Sequence, residues 1–139
     1  ILSIHTQDGS GNNRYEDIAV QYLKKVAESF IHSYNGNIVF GHGPHTKAGV
    51  KVVQRNDGRK GVIFTSLGNF LHPGLAPHYD NYVGRAVFDF ETRQLRFVQV
   101  YPLGNTGDSV EFMKTSEAKS PISNFTWKTG AQSYYASFE

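Results

Sequence analysis

Apolar and polar positions along this chain change period several times, and each change predicts an element. Ile1 to His5 is a short apolar-rich run that reads as a strand ending on a histidine. Between Asn13 and Tyr34, residues Tyr15, Ile18, Ala19, Tyr22, Val26, Phe30 and Ile31 recur at three- and four-residue steps, one apolar face of a helix. Lys24, Lys25, Glu28 and Ser29 take its other side. Asn13 can cap this helix with Glu16 three residues on, and Asn35-Gly36 stops it. Ile38-Val39-Phe40 is a brief apolar run with the look of a buried strand. Two hairpins are then predicted. Gly49–Arg55 pairs with Gly61–Ser66 through Asn56-Asp57-Gly58, residues that tolerate positive φ. Tyr82–Phe90 pairs with Leu95–Tyr101, and Pro102 ends the second arm. Ala86, Phe88 and Phe90 share one face of that hairpin, Arg85 and Asp89 the other. Leu71 to Asn81, with two prolines and a glycine, reads as an irregular loop.

The order of these elements predicts an α/β fold with a mixed sheet, one long helix and two hairpins. A strand, a helix of about twenty residues and a second strand make a crossover that favours a parallel pair with right-handed connection. His5 and the Gly41-His42-Gly43-Pro44-His45 loop then share the C-terminal edge of that pair, where open α/β sheets place ligands. Residues 1–103 read as one domain piece. Residues 104–139, rich in Ser, Thr, Gly and Asn, read as a loosely structured tail or a strap.

Composition narrows the picture only slightly. Hydrophobic residues at 39% and charged residues at 19% fit a globular chain rather than a disordered one. A formal net charge of +2, without a basic run, gives no case for nucleic acid as a partner. Cysteine is absent, which removes disulfides and thiolate ligands. No run of eighteen apolar residues and no signal peptide is visible, so membrane association is expected only through segments outside this sequence. The chain opens at Ile1 directly in strand-like sequence and is expected to be a fragment or a processed half.

The candidate chemistry lies in the histidines. His42 and His45, three positions apart at a strand end, form a compact metal-site candidate, since imidazole suits first-row transition ions. Their plainer reading is a polar loop with hydrogen-bonded histidines. His5 is a third candidate ligand or a strand-end histidine bonded to backbone. Asn69 either orients a histidine or satisfies its turn. His72 and His78 are loop histidines that could contact a substrate.

GHGPHTKAGV (41–50) followed by VIFTSLGNF (62–70) resembles the C-terminal half of the CapA, or poly-γ-glutamate capsule biosynthesis (PgsA-type), family. The GH-x-PH and SLGNF pair carries the resemblance, which spans roughly residues 1 to 103. The family's fold resembles calcineurin-like metallophosphoesterases, so the chain would be the C-terminal half of an α/β/β/α sandwich. The resemblance implies His5, His42 and His45 as metal-binding and catalytic residues, holding a divalent transition ion (Mn, Fe or Zn). Asn69, His72 and His78 would lie at the substrate or behind the ligands. Many relatives carry a further histidine where Gly43 stands.

The acidic bridging ligands of that fold come from its N-terminal half, and neither GD-x-x-D nor GNH occurs here. Three histidines carry no negative charge and do not build a dinuclear site alone. The missing half is therefore expected from a further segment of the same protein or from a second chain. Two functions follow. One is a metal-dependent hydrolase or polymer-processing enzyme acting on a phosphoester or a polyglutamate-type amide. The other is a non-catalytic cell-envelope protein that binds or helps export an anionic capsule polymer. Both imply an extracytoplasmic or envelope location.

Overall fold

The computed structural model describes residues 1–6, 14–43, 47–68, 70, 78–105, 109–113 and 122–138. Among the described residues, two sheets and one α-helix are arranged in three layers. The first sheet takes β1 (Leu2–His5), β2 (Ile38–His42), β4 (Lys60–Leu67) and β3 (Lys47–Gln54), in that spatial order. β1, β2 and β4 are parallel, and β3 is antiparallel to β4. The helix α1 (Arg14–His32) links β1 to β2, as the crossover requires. The second sheet is antiparallel: β5 (His78–Asp89), β6 (Gln94–Asn105), β9 (Ser133–Ser137) and β8 (Thr126–Lys128), with β7 (Val110–Phe112) also on β6. Among the described residues, no helix is long and apolar enough to cross a membrane.

The first sheet is buried on both faces, because its strands feed two cores by alternation. Val39 and Ile63 meet Leu23, Ala27 and Ile31 of α1. Ile38, Val50, Val62 and Phe64 point the other way, onto Tyr82, Leu95, Val98, Val100 and Tyr134. Phe40 and Phe64, register partners on β2 and β4, stack at 5.0 Å. Each such aliphatic or aromatic side chain contributes about 1.5–3 kcal/mol of burial.

The helix meets the expected stripe at Ile31 and Phe30 and departs from it a turn or two earlier, where Leu23 and Ala27 rather than Tyr22 face the sheet. Leu23, Ala27 and Ile31 are fully buried, while Tyr22 is 60% exposed. These three lie at successive four-residue steps, and the small Ala27 lets the axis come close to the sheet. The side chains of Tyr15, Ile18 and Ala19, and the Asn13 cap, lie outside the described residues. At the other end Asn35 takes φ 56°, and the Gly36 N–H donates to the Phe30 carbonyl at 2.9 Å. Buried Arg55 then donates to Asn37 and Asp57, tying the helix exit to the β3–β4 turn.

Other expectations differ from the structure in detail. Pro102 does not end a strand; β6 runs through it to Asn105. Its carbonyl accepts the Met113 N–H, so its missing N–H faces the gap where β9 has ended and β7 begins. Residues 126–137, read as part of a tail or strap, build β8 and β9, and β9 pairs directly with β6. β5 starts at His78 rather than Tyr82. A register shift between Val87 and Phe88 then breaks the two-residue alternation, leaving Phe90 in the turn and 84% exposed.

Candidate functional site

Parallel pairing decides which side chains meet at the end of β1 and β2. The register runs Leu2 with Val39, Ser3 with Phe40, Ile4 with Gly41 and His5 with His42. Leu2 and Ile4 lie in the helix-facing core, so Ser3 and His5 stand on the opposite face. On β2, Ile38 and Phe40 face the second sheet, and His42 follows them by alternation. The two histidines are thus neighbours on one face, on strands about 4.8 Å apart. His5 is exposed and His42 is half-buried.

Two glycines shape this strand end for opposite reasons. At Gly41 a Cβ would stand 2.1 Å from the Thr65 carbonyl oxygen and 2.7 Å from Leu23 Cδ1, so only glycine lets β4 and α1 close on β2 here. Gly43 takes φ 119°, a conformation that L side chains rarely adopt, and its Cβ would lie 1.9 Å from the Thr6 carbonyl oxygen. The buried Thr6 is itself fixed, its N–H donating to the His42 carbonyl at 2.9 Å. The chain after His42 is therefore clamped against the chain after His5.

The electrostatics favour neutral imidazole. Burial pushes the His42 pKa below its ordinary value, and the neighbouring His5 pushes it further down. A neutral ring offers a lone pair, the form that ligates a metal ion.

Toward the same end of the sandwich lie polar groups that the sequence did not single out. Extending the β2–β4 register by two residues brings buried Ser66 beside His42, and the Ser66 Oγ accepts the Gly68 N–H at 3.3 Å. Lys47 Nζ sits 5.1 Å over the Tyr82 ring, which brings the start of β5 to the same end of the sandwich. Next to Tyr82, the Asn81 side chain is completely buried, and neither amide atom has a hydrogen-bond partner among the described residues. Ser66 falls inside the SLGNF turn, so a signal for it was present. Asn81 carried none, because an asparagine after prolines and glycine reads as a turn former.

His45, Asn69 and His72 lie outside the described residues. His78 opens β5, and its side chain also lies outside them. Among the described residues, no group of three His, Cys, Asp or Glu side chains could hold a metal ion. His5 and His42 by themselves supply two neutral nitrogen donors, which fits part of a transition-metal coordination shell and not the whole of one. No family profile, curated protein or solved structure matches this chain.

Proposed function

We propose that this chain is the C-terminal half of a CapA-like domain with a metallophosphatase-type α/β/β/α architecture, carrying half of a metal-dependent hydrolytic site. The observation behind this reading is the His5–His42 register, which sets two imidazoles side by side at the C-terminal end of parallel strands. His5, His42 and His45 would hold a divalent transition ion, and such an ion would supply Lewis-acid activation of water. Burial beside a second imidazole keeps His42 a neutral donor. The remaining ligands would come from another segment of the protein or a second chain. The substrate would be a phosphoester or an anionic polymer of polyglutamate type, at the cell envelope, with no nucleic acid partner and with membrane attachment only through other segments.

The test uses the intact protein. Elemental analysis should find stoichiometric Mn, Fe or Zn, with turnover of bis(p-nitrophenyl) phosphate. His42→Ala should lose one metal equivalent and the turnover while keeping its circular dichroism. Unchanged metal content in this variant would sink the assignment.

Gly43 favours a second reading. Its backbone excludes a side chain at the position where relatives place a further histidine, so the donor set is smaller by one. The chain would then be a non-catalytic envelope component that binds or helps export an anionic polymer. Polymer binding without metal or turnover is the result expected for it.

A further inference from the structure

The far end of the sandwich carries a groove of about 650 Å³ between the edge of the first sheet and the end of the second. Lys60 at the start of β4 and Lys128 at the end of β8 both line it. Ser66, beside His42, is six residues along β4 from Lys60, about 20 Å at 3.3 Å per residue, so the groove is separate from the histidines. Each ammonium is held over an aromatic ring that also lines the groove. Lys60 Nζ lies 5.7 Å above the Phe138 ring, and Lys128 Nζ lies 5.6 Å above the Tyr135 ring. Cation–π attraction positions a lysine without neutralising it. Among the described residues no carboxylate is within ion-pair distance of either ammonium, and no acidic residue lines the groove. The other polar lining is neutral: the amides of Gln54 and Asn124 and the hydroxyls of Thr126, Ser137 and Tyr135.

We propose that this groove binds a segment of an acidic polysaccharide, a chain of uronate-type sugars. With no carboxylate partner among the described residues, the two lysines call for an anion. Lysine meets it as a point charge, without the fork by which arginine holds a carboxylate or a phosphate, so the companion groups must set the choice. The ratio of groups chooses among anionic polymers. Five neutral hydrogen-bonding side chains accompany two cations. A uronate residue offers several hydroxyls for each carboxylate, and hydroxyls both donate and accept, so amides and hydroxyls pair with them fully. Polyglutamate presents a single amide per carboxylate, and a nucleic acid strand needs a denser row of cations than this groove holds.

The experiment is calorimetric titration of the full chain with hexagalacturonate at low salt, with maltohexaose, poly-γ-glutamate and a twelve-residue oligothymidylate as comparisons. Saturable one-site binding of hexagalacturonate is expected, weakening as salt is raised, with no binding of neutral maltohexaose. Lys60→Gln with Lys128→Gln should weaken it about ten-fold, the scale expected for two exposed ion pairs. Both lysines are exposed, so the fold should persist by circular dichroism. Asn124→Ala alone should weaken binding several-fold without changing its salt dependence. No saturable binding, unchanged affinity in the double lysine variant, or equal or tighter binding of polyglutamate or oligothymidylate would each overturn the proposal. Metal content in the lysine variant reads the histidine site independently, so either conclusion can fail without the other.

Discussion

Replacing Gly43 by alanine isolates the clamp that follows His42. The new methyl would start 1.9 Å from the Thr6 carbonyl oxygen, with the backbone at φ 119°. Holding a non-glycine residue in so sparsely populated a region costs about 1–3 kcal/mol. Relieving the contact also moves Thr6, whose N–H bond to His42 contributes about 0.5–1.5 kcal/mol. The expected loss is therefore about 2–4 kcal/mol, a large fraction of the ~5–15 kcal/mol by which domains are stable. Urea titration followed by fluorescence of the single Trp127 reads it. With a slope of ~2 kcal/mol per molar, the midpoint should fall by about 1–2 M. Gly49→Ala is the control, since nothing lies within 4 Å of its added Cβ. If both variants unfold at the wild-type midpoint, the clamp does not exist as described. Gly43→His should be destabilised at least as much and should gain no metal equivalent.

Two other outcomes are expected. Leu23→Ala empties a fully buried site in the helix-facing core and should lose about 3–5 kcal/mol, whereas Tyr22→Ala on the exposed side should change stability by less than ~0.5 kcal/mol; equal losses in the same urea assay would return the stripe to its expected place. For His42 the folded pKa is depressed, so below the ordinary imidazole value of about 6.5 the unfolded chain binds more protons than the folded one. The metal-free protein should therefore lose stability as pH falls through 6.5, and His42→Gln should flatten that slope. An NMR titration should place the His42 midpoint below 6.5, with His5→Gln restoring only part of the shift because burial is the larger cause; a midpoint at or above 6.5 would contradict the geometry.

The first sheet was the most legible part of the chain. The hairpin expected at 49–66 is present as β3 and β4, and the helix ends within two residues of its expected stop. Strong periods and an Asn-Asp-Gly turn encode these locally. The helix stripe is legible at Ile31 but not at Leu23 and Ala27, because Tyr22, Val26 and Phe30 form an apolar row beside them and only the sheet's position selects between the two. β8 and β9 were missed because they are short, and the polar residues around them read as loop; pairing with β6 makes them strands. Placement of His5 beside His42 follows from chain order, since a crossover helix returns the chain to the neighbouring strand. Asn81 could not be read at all, because its burial arises only once β5 is packed into the tertiary fold.

β4 has one more consequence. Residues 61–66 are all buried, with Ile63 in the helix-facing core and Val62 and Phe64 in the core between the sheets. One strand is thus a wall shared by two rooms. The helical layer cannot peel away without exposing Ile63, and the second sheet cannot swing off without exposing Val62 and Phe64. The two cores melt as one unit, and the β4 amides should exchange with solvent only when the whole fold opens. Fraying would then be confined to the outer strands, and the histidine end of the sheet inherits the rigidity of its centre.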